Sequence, residues 1–222
     1  MRIFPLGESA LTVEFGNEIS LELNRRSISL AAFLSANPFH GMVEAVPAYS
    51  SVTVFYDPLK VLRPHPQSSS SFAAVETMIR EIVNRIEDTE INGRRIIEIP
   101  IHINEDSSPD MEAVCEFGGL DSKSVVDLFL GRNYRVYMLG FLPGFAYMGE
   151  VDERIAAPRL KTPRTKVPAG SVGIAGLQTG IYPLESPGGW NIIGRTDLKM
   201  FDAGSGEPCL LRPGDEVKFF AY

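Results

Sequence analysis

The chain has 222 residues, 44% hydrophobic and 22% charged, with a formal net charge of −7. That is the balance of an ordinary globular protein, long enough to bury a core in one large domain or two small ones. The acidic excess argues against a nucleic-acid-binding face, and no apolar run approaches the roughly 20 residues of a membrane span. The opening MRIFPLGESALTVEFG lacks the apolar stretch of about 7–15 residues found in signal peptides, so the reading is cytoplasmic. Cys115 and Cys209 form no CxxC pair, and His40, His65 and His102 are scattered. No protein-built metal site is expected from that spacing.

Ile3–Pro5 and Ala10–Phe15 read as short strands around the turn Leu6-Gly7-Glu8. Between Glu18 and Leu34, Ile19, Leu21, Leu23, Ile28, Leu30 and Phe33 recur at mostly helical spacing, and Pro38 ends that helix by disfavouring αR at Asn37. Val43–Val46 and Ser51–Tyr56 read as strands, followed by the Pro- and Ser-rich break RPHPQSSSS. Phe72, Val75, Met78, Ile79, Ile82, Val83 and Ile86 then mark an amphipathic helix. The order β-β-α-β-β-α suggests a small open sheet with two helices on one face, resembling a ferredoxin-like layer. Ile91-Asn92-Gly93-Arg94-Arg95 is the best boundary, giving units 1–92 and 93–222.

Beyond it, Ile96–Ile103 alternates as a strand, and Asp110–Cys115 and Asp121–Leu130 predict two short helices. The acidic, hydroxyl-rich start of the second suits a cap. Tyr134–Met138 is a strand, and the rest is short strands punctuated by Gly and Pro, the signature of a closed or partly closed barrel. LLRPGDEVKFFAY predicts a Pro-Gly-Asp turn feeding a final strand that completes the chain. The fold class is therefore α+β: a small α/β unit, then a β-barrel.

Arg154, Arg159, Lys161, Arg164 and Lys166 precede Glu185 without an intervening acid. Pro158, Pro163 and Pro168 exclude a regular helix there, so the cations stand on a stiffened loop or an edge strand. They suit an anionic ligand or an acidic partner; the alternative is a solvated edge that discourages sheet-to-sheet pairing. Gly170, Gly173, Gly176 and Gly180 can present N–H groups to an anion or allow close strand packing at barrel bends. They form neither a P-loop nor a GxGxxG pattern. Phe141, Phe145, Tyr147 and Trp190 sit beside Gly and Pro, where they either wall a pocket or fill the barrel. Arg195, between Gly194 and Thr196, is placed to be aimed by a short strand. No GxSxG elbow occurs. His102 alternates with Ile101 and Ile103, on the outer face of its strand, while Glu105, Asp106 and Asp110 read as the acidic start of a helix. Bottom-up, the chain offers an anion-friendly β-rich site without a self-sufficient catalytic set.

GFLPGFAYMGEV, PRLKTPRTKVPAGSVGIAGLQTGIYPLESPGGWNIIGRT and LLRPGDEVKF together resemble the allophanate hydrolase subunit 1 family, over nearly the whole chain. The resemblance implies a C-terminal cyclophilin-like barrel and joint work with a homologous subunit 2 or C-type protein. In its 5-oxoprolinase form it implies ATP and Mg2+ at the level of a complex, the B and C subunits activating the lactam carbonyl and an A-type subunit completing the opening. Carried onto this sequence, Arg164, Lys166 and Arg195 bind the anion, while Phe141, Pro143, Gly144, Phe145, Gly170, Gln178, Thr179, Pro187, Gly188 and Trp190 bind substrate. The same resemblance leaves open a KipI-like inhibitor of a histidine kinase and a carboxyltransferase partner in urea metabolism. The Gly-rich loop alone also suits a small-ligand carrier. Two segments depart from the family pattern. His102-Ile103-Asn104-Glu105-Asp106 stands where a Cys-Tyr-Gly-Gly-like segment is usual, and Phe129 where a helix carries a His.

Overall fold

A computed structural model describes residues 1–86 and 95–222. The chain divides into two compact units, Met1–Gly93 and Arg94–Tyr222. The boundary expected at residues 91–95 falls, apart from Arg95, outside the described residues.

The first unit runs β1 (Arg2–Pro5), β2 (Ala10–Glu14), α1 (Leu21–Ala36), β3 (Met42–Pro47), β4 (Ser51–Tyr56), α2 (Pro58–Leu62) and α3 (Ser71–Arg85). Its sheet, ordered β1-β2-β4-β3, is antiparallel throughout. Alternation places Leu11 and Val13 of β2 beside Val54 and Val52 of β4, and these pack with Leu30, Leu34, Val75 and Ile79 of the helices. Ser20 and Ser70 cap α1 and α3 through their hydroxyls. Asn37 leaves the helical region at φ −132°, as the following Pro38 requires. A ferredoxin-like unit alternates β-α-β-β-α-β. Here a hairpin precedes the first helix and every strand pair is antiparallel, so the two-layer core forms by another strand order. Helix α2 was not anticipated, yet its start was written in the sequence. Asp57 accepts from the N–H groups of Leu59 and Lys60 at 3.0 and 3.1 Å, and Pro58 sits in the first turn.

The second unit contains β5 (Ile96–Ile101), α4 (Met111–Gly118), α5 (Ser122–Leu130), β6 (Asn133–Leu139), β7 (Ala146–Gly149), β8 (Arg164–Val167), β9 (Ser171–Ala175), β10 (Gln178–Ile181), β11 (Ser186–Gly188), β12 (Asn191–Arg195) and β13 (Glu216–Ala221). Seven strands form one sheet in the order β12-β9-β10-β7-β6-β13-β5. Its pairs are antiparallel except β13 with β5, which is parallel. An antiparallel bridge between His102 and Arg195 brings the end of β5 back to the end of β12, so the sheet is nearly closed into a barrel. Ile99, Ile101, Val136, Met148, Val172, Ile174, Val217 and Phe219 fill it, together with Val114, Val125 and Phe129 from the two helices. Phe129 is fully buried, its ring 5.0 Å from Tyr134 and 5.1 Å from Phe219. At that position the side chain is a core filler.

Candidate functional site

The ribbon of β8 and β11 pairs Gly188 with Arg164 and Ser186 with Val167. It displays Arg164 and Lys166 from an edge strand, one of the two placements the prolines allowed. Both have acidic partners, and Arg154 of the same run meets Asp152 at 2.9 Å. Lys166 meets Glu185 at 3.1 Å, with both side chains more than half exposed. Arg164 Nη2 donates to Asp110, and the same carboxylate accepts the Ile192 N–H at 2.7 Å. Asp110 is thus a buried anchor between α4, β8 and β12 and makes no side-chain cap to its own helix, which corrects the reading of the acidic loop as a simple helix start. Arg164 Nη1 is buried and finds no partner among the described residues.

Gly173 and Gly180 face each other across β9 and β10, and a Cβ on Gly180 would lie 2.9 Å from Phe145 and 3.1 Å from Trp190. The bare backbone lets both rings approach the sheet closely. Phe145 sits at the centre of an aromatic group, 5.5 Å from Phe141, 4.8 Å from Tyr147, 5.3 Å from Tyr182 and 5.5 Å from Trp190. Phe145 and Trp190 are buried in a minor core with Val167 and Ile192, so they make a floor and not an open wall. Burial also pushes the Tyr182 phenol above its ordinary value. Phe141 is 60% exposed, and its φ of +71° is an uncommon conformation for a bulky side chain. Pro143 is exposed beside it, while the buried Gly144 turns at φ +80° against Met200 and Phe201.

The Gly-rich run serves strand packing. Gly170, at φ +82°, donates its N–H to the Tyr182 carbonyl and accepts from Thr196, and a Cβ there would run into the Thr196 carbonyl. Gly176 donates to Ala157. Thr179 is fully buried and donates to the Gly173 carbonyl at 2.9 Å. Gln178 is half-buried opposite Gly149 and Ala175. Pro187 and Gly188 lie on β11, Gly188 hard against the Tyr182 ring.

Arg195 reaches the outer face through a register shift. Asn191 pairs with Ile174, which points into the barrel, so plain alternation would turn residue 195 inward as well. A bulge between Ile192 and Gly194 inserts one residue, placing Gly194 inward opposite Val172 and Arg195 outward opposite Ser171. Its Nε donates to the Ala169 carbonyl at 3.1 Å. Beside it, His102 Nε2 lies 3.0 Å from Asp197 Oδ2 and 2.7 Å from the Tyr222 hydroxyl, which is itself 3.2 Å from that carboxylate oxygen. Hydrogen bonds from His102 and then Tyr222 hold the Asp197 carboxyl below its usual range, with the Arg195 charge adding to the effect. Asp197 and Tyr222 did not stand out in the sequence. The signals were Asp197 at i+2 from Arg195 and Tyr222 one residue beyond the last strand.

Four residues of β12 and roughly 3.3 Å per residue separate Trp190 from Arg195. Strand β12 therefore runs from the aromatic floor at Trp190 to a polar seam at Arg195. Of the other expected site residues, Arg164 and Lys166 stand on β8, Gln178 and Thr179 on β10, and Pro187 and Gly188 on β11, so the structure does not gather the whole set. Among the described residues, no cluster of three or more His, Cys, Asp and Glu side chains is arranged to hold a metal ion. No described helix is long and apolar enough to cross a membrane.

A family model described as carboxyltransferase domain, subdomain C and D, matches residues 1–211. The B-type subunit of 5-oxoprolinase from Bacillus subtilis (strain 168) is 46% identical over 220 residues, 98% of this chain and 91% of that protein. Its counterpart of the same name from Escherichia coli O157:H7 is 41% identical, covering 98% of this chain and 94% of that protein. Among solved structures, PH0987 from Pyrococcus horikoshii is 48% identical with a TM-score of 0.56, covering 100% of this chain and 97% of that one. TTHA0988 is 36% identical with a TM-score of 0.82 over 96% of this chain, which spans 40% of the TTHA0988 chain. On the match across residues 1–211 and these near full-length relatives, the chain belongs to the carboxyltransferase subdomain C and D family.

Proposed function

We propose that this chain is the B-type subunit of an ATP-dependent 5-oxoprolinase, a cytoplasmic hydrolase complex that opens 5-oxoproline to L-glutamate. The observation that carries this reading is 46% identity to the B-type subunit of a 5-oxoprolinase across 98% of the chain. Its partners are a homologous C-type subunit and an A-type ring-opening subunit. In this reading the barrel is cyclophilin-like and begins near residue 93.

5-Oxoproline carries a carboxylate next to a five-membered lactam, so its site needs a cation, an apolar surface and a path for the lactam proton. Arg195, turned outward by the bulge, supplies the cation at the seam. Arg164 and Lys166 supply positive charge along the ribbon, where the buried Nη1 of Arg164 has donor capacity left over from Asp110. Phosphoryl transfer concentrates charge on oxygens that such groups stabilise. The exposed ring of Phe141 and neighbouring Pro143 form the apolar rim; Gly144 turns the chain there, Pro187 and Gly188 lie on β11, and Gln178, paired with Gly149 at the other end of β10, stands apart. Phe145 and Trp190 hold the floor, Thr179 faces the barrel interior behind them, and Gly170 lets the chain pass close to Arg195. The orphaned guanidinium nitrogen fits a phosphate of ATP. The described side chains do not make a Mg2+ site of their own, so the ion fits this chain only as part of a nucleotide complex.

The test is phosphate release dependent on ATP and 5-oxoproline, from the chain alone and mixed with its C- and A-type partners. Release with glutamate formation only in the mixture is expected; no release from a verified complex overturns the reading. Replacing Arg195→Ala removes a charge-assisted contact of about 1.5–3 kcal/mol, so KM for 5-oxoproline should rise about 10- to 100-fold.

A further inference from the structure

Of the three histidines, only His102 lies in the barrel unit. Three strand ends fix its surroundings. Ala221 of β13 pairs with Ile101 of β5, and His102 bridges to Arg195 at the end of β12. Ile101 and Phe219 point into the core, so alternation sets Tyr222, His102 and Arg195 in one row on the outer face. Residues directly opposite in such an antiparallel pair lie about 5.5 Å apart at Cα. Asp197, two residues past Arg195, faces the same row. The charged and titratable groups around the imidazole are therefore Asp197, Tyr222 and Arg195.

Proton accounting orients the ring. Nε2 and the phenol carry at most two protons for three short contacts. With Nε2–H and the Tyr222 O–H both donating to Asp197, the carboxylate is satisfied twice, and Nδ1 becomes the basic nitrogen of the neutral ring. A carboxylate in this position fixes both the tautomer and the orientation of the ring. The imidazole side chain is 34% exposed, so it is open to a substrate held by Arg195.

We propose that His102 accepts the lactam proton of a cyclic amide whose carboxylate binds Arg195, with Asp197 and Tyr222 as positioning residues. The assignment rests on the 5-oxoprolinase reading and names the proton acceptor of that site. In the step, the lactam N–H bond breaks, its proton passes to His102 Nδ1 and its electron pair forms the C=N bond. The carbonyl oxygen forms a bond to the terminal phosphorus of a nucleoside triphosphate, and the diphosphate leaves with the P–O electron pair. As the ring opens, a water oxygen bonds to the ring carbon and the C–N bond breaks with its electron pair on nitrogen. That nitrogen takes both protons of the water and the one from the imidazolium, leaving an ammonium group and an acyl phosphate. A second water cleaves the acyl phosphate to carboxylate and phosphate.

The experiment measures kcat and KM for 5-oxoproline in the complete reconstituted complex, with thermal midpoints confirming that each variant is folded. His102→Gln should lower kcat by about 10²- to 10⁴-fold with little change in KM. Asp197→Asn leaves the ring's tautomer unset and should lower kcat by about 10-fold or more, again with little change in KM. A wild-type complex that turns over, with His102→Gln retaining kcat, overturns the inference and leaves the function standing. Should His102→Gln not fold, an Asp197→Asn complex with wild-type kcat overturns it instead. A verified wild-type complex without turnover removes the function and the inference together.

Discussion

Asp110 and Arg164 lie 54 positions apart, and a single carboxylate joins the second guanidinium to the backbone of β12. Removing one partner from such a pair leaves the other desolvated and uncompensated. Asp110→Ala also orphans the buried Ile192 N–H. A loss of about 3 kcal/mol is therefore expected in urea unfolding of the full chain. A change below about 1 kcal/mol would mean that the pair behaves like a surface ion pair. Sequence reading could not find this contact, because the acids and cations stood in separate stretches with ordinary local explanations. It did put Arg164 on a stiffened loop or an edge strand, and His102 on an outer face. The partners of both depend on register and closure, which no local spacing encodes.

Helix α5 begins where capping chemistry places it: Asp121 accepts the Ser124 N–H at 2.7 Å. That bond and the Ser124 hydroxyl hold the Asp121 carboxyl below its usual range. Asp121→Ala should destabilise the chain, read as a lower urea midpoint at unchanged slope. Elements with strong periodicity were legible nearly to the residue. The span Asp121–Leu130 became Ser122–Leu130, and Tyr134–Met138 became Asn133–Leu139. The Gly-rich strands were legible as strands but ambiguous in purpose, because a glycine that admits a neighbouring ring and one that bares an N–H look alike in sequence. The packing of Phe145 and Trp190 over Gly180 settles this for the barrel wall. The bulge in β12 is the element that most affects function, since it alone turns Arg195 outward. Its only sequence sign was Gly194.

The barrel unit depends on a join between its first and last strands. Arg95 and Asp215, 120 positions apart, form two hydrogen bonds at 2.9 and 2.5 Å at the start of the parallel pair β5–β13. Strand β13 is also the neighbour of β6, so its loss would bare two strand edges and uncover Phe129. A chain stopped after Asp215 should show no cooperative unfolding of the barrel unit and should aggregate, measured by circular dichroism and light scattering. Retention of a native-like transition would contradict the central place of β13. The same topology governs the protein during synthesis. Strand β5 leaves the ribosome early, but its ladder partner is made about 120 residues later, which takes several seconds at 5–20 residues per second. Through that interval Ile97, Ile99 and Ile101 belong to a strand without its mate, and the barrel cannot close until β13 has been made. The nascent chain is therefore exposed to chaperones and proteases for longer than its size suggests.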